Sequence, residues 1–502
     1  MQVGMQMNFN SVDLLIFVPV VVILYWVLPA KFRWMLLLAA SLFFYMSWNV
    51  WLIVLIGITT VTAYCAALLI SRSRTSAVRR LWLAATLIIC LGILVFFKYI
   101  NFILESAVGV IRLFNPAQDS IVLNIILPVG ISFYTFQTLS YVIDVYRGDY
   151  PAERHFGYFA LYVTYFPQLV AGPIEKPGTL LPQLKSEHKF SSEDMLAGAK
   201  YLLSGFFRKC VVADFCGIFV DKVYADLSSA NALAVFAASA LFLFQIYNDF
   251  AGYSEIALGS ARLMGVKLSK NFDRPLSSAS FTEFFRRWHI TLNQWFTQYV
   301  YIPLGGNRKG VLRQLLNTMI VFALCGLWHG ASWTFVLWGL AAGFFVCMEN
   351  LLKRPLRSLC ERFGIDVRSQ GLRLLRQAAV FVLFVFCCVL FRAQSISEIG
   401  VAFRQMFTGW GLGEEYFAQA FESLGMSSVQ FLLLAVSLAA MAVLYRFPQE
   451  TDSEKLPLDA ACSRVNYNST TAAFIYGVIA VAISWLALLA GSDLSGFAYF
   501  QF

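Results

Sequence analysis

Only four histidines occur among the 502 residues, so each can be weighed as a base or a ligand. His155 and His188 lie among charged neighbours, in PAERHF and KSEHKF, and read as solvated loop residues. His329 differs. It follows Trp328 in LCGLWHGASWTFVLWG, with Gly326 and Gly330 thinning the chain around it. An ionisable side chain at such apolar depth is costly unless it faces a cavity or a partner, which makes it a functional candidate. The surround also disfavours the charged imidazolium, leaving a neutral ring able to take a proton from a hydroxyl. The blander alternative is a histidine hydrogen-bonded between helices. His289, in FFRRWHITLNQWF, would on a helix share a face with Phe285 and Phe296 and neighbour Asn293 at i+4. It either orients a donor, binds a carbonyl oxygen, or sits on the polar side of an interfacial helix. Two carboxylates follow long apolar runs. Asp249 comes after Asn248 and four residues before Tyr253, with Glu255 beyond; Asp144 lies three before Arg147, a natural partner. Charge pairing that fixes packing suits Asp144, and a polar tunnel lining suits Asp249.

The elements that hold these groups are set by composition. The chain is 59% hydrophobic and only 13% charged, where soluble proteins carry about 25% charge. One large water-soluble core is excluded, and an integral membrane protein is expected. A spanning helix needs about 20 apolar residues. Candidate spans are 12–28, 50–70, 81–97, 233–247, 315–327, 333–348, 378–390, 429–445 and 472–489, while 34–48 is brief and ends in interfacial aromatics. The expectation is an all-α polytopic fold of about ten to twelve membrane segments. No repeat or linker divides it, so residues 1–502 read as a single domain, with a core at about 80–350 and peripheral helices over 371–502. The first apolar run lacks a charged leader and a small-residue cleavage site, and reads as a retained helix.

The centre is unlike a plain bundle. Between Leu127 and Gln183 the apolar residues are broken by Pro128, Gly130, Pro167, Gly172, Pro173, Pro177 and Pro182. Freed backbone cannot face lipid, so this stretch must be buried in protein or line a wet cavity. In 271–310, Phe284, Trp288, Leu292 and Trp295 fall at helical spacing beside a basic flank, the pattern of an interfacial or re-entrant helix. Residues 192–226 are similarly amphipathic, with Ser191 or Ser192 as the cap.

The net charge of +9 does not point to nucleic acid. Arg72, Arg74, Arg79 and Arg80, then Lys353, Arg354, Arg357 and Arg362, cluster in short links and read as cytoplasmic topology markers. A minor role in attracting an acidic donor is compatible. The ten cysteines have no metal-ligand spacing, and neither disulfides nor a metal site are expected. No Walker A, GxGxxG, HExxH or GxSxG motif occurs, which disfavours a nucleotide-driven pump and a serine hydrolase.

Six segments resemble the membrane-bound O-acyltransferase family in its bacterial alginate O-acetylase branch: LPVGISFYTFQTLSYVIDVYRG, YFPQLVAGPI, YNDFAGYSEIALG, NFDRPLSSASFTEFFRRWHITLNQWF, YVYIPLGGNRKG and GLWHGASWTF. LFRAQS and the terminal FAYFQF match as well. The resemblance implies a ring of membrane helices around a thinned centre, with re-entrant and interfacial helices and a through-membrane tunnel. It implies His329 as catalytic residue and His289 as the second active-site histidine. Asp249, Tyr253, Asn248, Trp328, Asn293 and Trp288 are expected to line the substrate path. Asn248 departs from relatives that often carry an aromatic or acidic residue there, which bears on donor or tunnel shape. No bound cofactor is implied; the acyl donor would be acetyl-coenzyme A or an acyl-carrier-protein thioester. The partners implied are a periplasmic or extracellular esterase-like acetyltransferase and a polysaccharide acceptor, with the chain in the bacterial cytoplasmic (inner) membrane. D-alanyl transfer to teichoic acid is the alternative within the class. A transporter of a lipid or acyl donor, or an export scaffold, is the alternative outside it.

Overall fold

The computed structural model describes residues 11–446, and every regular element among them is helical. The expected segment 472–489 and the terminal FAYFQF lie outside the described residues. Among the described residues six helices are long and apolar enough to cross a membrane, or seven if the bent pair Glu414–Leu424 and Ser428–Met441 counts as one span.

The chain divides into two compact units. The first comprises residues 1–202 and 254–269. It carries α1 (Val12–Val27), α2 (Ala30–Met46), α3 (Ile53–Arg72), α4 (Ser76–Leu94), α5 (Ile100–Arg112), α6 (Ile131–Arg147), α7 (Phe156–Thr164), α8 (Pro177–Lys185) and the start of α9 (Ser192–Phe206). Ser191 caps α9 by accepting from the Asp194 amide. The span expected at 81–97 is longer than its apolar run. It continues from Ser76 to Arg112 through a widened π-turn at Val95–Tyr99, which keeps the helix going past Lys98.

The proline-rich stretch behaves as its physics demands. Residues 165–176 form no regular helix, yet Tyr165, Phe166, Leu169, Val170 and Glu175 are all buried. Gly130, at φ +74°, lets the start of α6 pass close by, since a Cβ there would stand 2.9 Å from the Leu169 carbonyl. Ser41 Oγ accepts the Phe166 amide, and Tyr162 Oη donates to the Glu175 carbonyl. The Glu175 carboxylate takes hydrogen bonds from the Ser269 amide and hydroxyl and from Thr179 Oγ1. Burial still raises its pKa against those bonds. Irregular backbone is thus satisfied by protein, as a membrane interior requires.

The second unit comprises residues 203–253 and 270–502. Its elements include α10 (Asp214–Ala225), most of α11 (Ala232–Arg262), α12 (Phe281–Arg287), α13 (Ile290–Phe296), α14 (Val311–His329), α15 (Trp333–Arg362) and α16 (Gln370–Arg392). It continues through α17 (Ile396–Phe407), α18 (Glu414–Leu424) and α19 (Ser428–Arg446). Its most intimate pair is the α14–α15 hairpin. A Cβ on Gly326 would lie 2.2 Å from the Phe335 carbonyl, and one on Gly339 would lie 2.2 Å from the Phe322 carbonyl. Small residues therefore let the two backbones touch, the usual solution where lipid supplies no hydrophobic drive.

The single interfacial helix expected through Phe284, Trp288, Leu292 and Trp295 is not continuous. It breaks between α12 and α13, where His289 adopts φ +43°. The apolar periodicity survives the break, which is why the pattern alone reads as one helix.

Candidate active site

The site is built from the second unit, and its centre is the break at His289. Left-handed backbone is unfavourable for a residue with a Cβ and persists only where its surroundings over-determine it. Asn293 supplies that constraint. Its Nδ2 donates to the carbonyls of Phe285 at 2.6 Å and Trp288 at 2.6 Å, and more weakly to that of His289 at 3.3 Å. Carbonyls at a helix end lack intrahelical donors, and Asn293 supplies one to Phe285 and Trp288; the His289 carbonyl also accepts the Asn293 amide. From the other side, Asn271 accepts the Thr291 hydroxyl at 2.7 Å, and its carbonyl accepts the Ile290 amide at 2.8 Å. Two asparagines thus hold the chain open at the histidine.

His289 is 1% exposed. Its ring packs edge-on to Phe250 of α11 at 4.6 Å and to Trp328 of α14 at 5.6 Å between centroids. Burial, with a smaller contribution from nearby His329, holds its pKa well below the ordinary value. His329 closes α14. Its ring meets Trp328 at 5.0 Å, Trp338 of α15 at 5.1 Å and Phe391 of α16 at 5.3 Å. Gly330, whose added Cβ would overlap the Phe335 ring, ends the helix tightly there. The indole of Trp328 therefore contacts both imidazoles. The structure brings the two sequence-singled histidines to one place, 40 residues apart in the chain, and gives each an aromatic enclosure.

Other expected residues have distinct positions. Trp288 stacks on Phe284 and meets Tyr247, Phe272 and Phe384, forming an aromatic wall behind His289. Asp249 accepts Lys209 at 2.7 Å, the charge-pairing alternative to an open carboxylate. Lys209 also binds Asp214 at 2.6 Å. Burial opposes the charge on Lys209, but the two carboxylates outweigh it and hold the ammonium above its ordinary pKa. Asn248 accepts Arg208 Nη1 at 3.2 Å and donates to the Phe244 carbonyl at 2.8 Å. Tyr253 is buried one turn beyond Asp249. In the first unit, exposed His155 caps α7 through Nδ1, while His188, with Nε2 2.8 Å from the Gln183 carbonyl, is half-buried rather than the solvated loop residue expected.

Lys209, Arg208, Asn271, Phe250 and Phe391 were not singled out by sequence reasoning. For the first two a signal existed: adjacent cations in FFRKCVVADF, on the apolar side of an amphipathic segment. They sit on a π-turn, Phe207–Ala213, whose widened geometry often marks functional regions.

A buried pair of imidazoles suits proton transfer to or from a hydroxyl and hydrogen bonding to a developing oxyanion. Comparison with known proteins bears on the enzyme class. A profile of the membrane-bound O-acyltransferase family matches residues 153–390, which contain both histidines. The chain is 34% identical to a probable alginate O-acetylase of Azotobacter vinelandii, over 98% of this chain and 99% of that one. It is 32% identical to a probable alginate O-acetylase of Pseudomonas putida, over 98% and 99%. A peptidoglycan O-acetyltransferase of Helicobacter pylori is 34% identical over 68% of this chain and 70% of its own length.

Proposed function

From the premise that this chain belongs to the membrane-bound O-acyltransferase family and is an O-acyltransferase, we propose that it moves an acetyl group from a cytosolic thioester across the bacterial inner membrane for O-acetylation of a polysaccharide. The donor is acetyl-coenzyme A or an acetylated carrier protein, used as a substrate. The observation that carries the reading is the shared enclosure of His289 and His329 around Trp328. The names of the relatives, which concern alginate and peptidoglycan, support the acetyl group and a polysaccharide acceptor.

The division of labour follows from the two environments. His329 accepts the proton of the attacking hydroxyl, whose oxygen bonds to the thioester carbonyl carbon. The carbonyl oxygen becomes an oxyanion, and neutral His289 donates a ring N–H to it. Because burial disfavours imidazolium at His289, that ring acts as a hydrogen-bond donor without carrying charge, which a water-poor site strengthens. The tetrahedral carbon then collapses, the C–S bond breaks, and the thiolate leaves with the proton held by His329. Aromatic walls exclude water, whose attack would hydrolyse the thioester. The hydroxyl acetylated in this step belongs to an esterase-like partner on the far side, which then passes the acetyl group to a hydroxyl of the polymer and recovers its own. The test is chemical analysis of the secreted or surface polysaccharide. Ester-linked acetate should disappear when the gene is deleted and return with the wild-type copy; unchanged acetate after deletion would refute the reading.

A further inference from the structure

The longest unexplained feature of the second unit is the far end of its α15–α16 hairpin. With 30 residues, α15 is about 45 Å long at 1.5 Å per residue, against a hydrocarbon layer of about 30 Å. Its last three turns project beyond what a span requires. Residues 351–359 are exposed on every side of the helix. Along one edge run Leu352, Leu356, Leu359 and Phe363, at i, i+4, i+7 and i+11, each between 46% and 69% exposed. Beside them stand Lys353, Arg354 and Arg362, and the first turns of α16 add Arg373 and Arg376. Among the described residues none of these five cations has an ion pair or a side-chain hydrogen bond. Only Arg357 is paired, with Glu361 at 2.9 Å.

This arm is built. Gly364, at φ +66°, closes α15 with the Ile365 amide bonded to the Cys360 carbonyl and its own amide to that of Glu361. That pairing is a Schellman cap. Asp366 orders the turn by accepting the Arg368 amide, and Ser369 caps α16. A well-capped helix with an open leucine edge has no tertiary surface to stabilise it, although packing of an apolar face is the main source of helix stability. The other basic link, 73–75 between α3 and α4, is a short turn without such an edge.

We infer that the arm formed by residues 351–376 is a binding site for anionic phospholipid headgroups, with its leucine edge set into the bilayer surface and its cations on lipid phosphates. The bilayer is the occupant because α15 and α16 both cross it and emerge where its phosphate layer begins. Complementary charge follows: juxtamembrane cations of this number are drawn to anionic lipid, and their long side chains reach the phosphate layer while apolar side chains of the same turns face lipid. The other ends of the same two helices carry Trp338 and Phe391, which enclose His329. Lipid held at the arm therefore fixes the depth of the helices that frame the site.

Hydrogen exchange on the full chain in nanodiscs tests this directly. Amides of 351–363 should exchange about tenfold more slowly in phosphatidylglycerol discs than in phosphatidylcholine discs. Joint replacement of the cations, Lys353→Gln, Arg354→Gln, Arg362→Gln, Arg373→Gln and Arg376→Gln, should abolish that difference while exchange elsewhere stays unchanged. Leu352→Ser with Leu356→Ser should weaken protection in both lipids. Equal exchange of the wild-type arm in the two lipids would overturn the inference. So would protection that appears only when an acidic soluble protein is added.

Discussion

Lys209 Nζ lies 2.7 Å from Asp249 Oδ1, with both side chains 1% exposed. The ion pair fixes α11 at the turn that presents Phe250 to His289. Gly252, one turn on, allows the close approach, since a Cβ there would stand 3.0 Å from the Lys209 amide. Removing one partner of a buried pair leaves an uncompensated charge and costs about 3–5 kcal/mol. Lys209→Met should therefore lower the melting temperature sharply in detergent, whereas Lys209→Arg, which keeps the charge, should lose less. Equal stability of wild type and Lys209→Met would show that the pair contributes nothing net.

Asn293 makes a separable prediction. Asn293→Ala deprives the Phe285 and Trp288 carbonyls of their donor, at about 1–3 kcal/mol, and releases the constraint that holds His289 left-handed. Turnover should fall far more than the stability loss explains, because His289 is displaced. A variant of Asn293 with normal kcat would mean the break is held by Asn271 alone.

The α14–α15 crossing is equally exact. Gly326→Ala drives a methyl against the Phe335 carbonyl, and overpacking of this kind costs about 1–3 kcal/mol. Since the same helix ends at His329, acyl transfer should drop together with the melting temperature. The control change Gly371→Ala, at the end of α16 away from His329, where an added Cβ meets nothing within 4 Å, should leave both untouched.

The pH dependence follows from His289. Its folded pKa lies below the ordinary value of 6.5, so between that depressed value and 6.5 the unfolded chain binds more protons than the folded one. Stability then rises with pH across this window. It is complete above about pH 6.5 and declines as the solution is acidified below it. Denaturation measured across this range should show the decline in wild type and a flatter curve in His289→Gln.

Much of this was legible in the residues. The membrane class followed from charge depletion, and the buried irregular stretch at 165–176 followed from its prolines and glycines, because lipid-facing backbone has no partners. His329 stood out by its apolar depth and the glycines beside it. The break at His289 did not, since apolar spacing continues through it and only the Asn293 side chain, reaching back to the end of α12, reveals the interruption. The Lys209 partner of Asp249 was not legible, because it lies 40 residues earlier, on a π-turn that periodicity does not register. The extent of α15 was underestimated for a related reason: its last turns are too polar to count as membrane helix, yet they are helical.

The central claim is that His329 carries the proton in acyl transfer. Membranes supplied with a radiolabelled acetyl donor, comparing wild type with His329→Ala at matched expression, test it most directly. Loss of labelled polymer, with the variant still inserted and folded, is the predicted result. Transfer at the wild-type rate by His329→Ala would contradict the mechanism and place the chemistry in another component of the membrane.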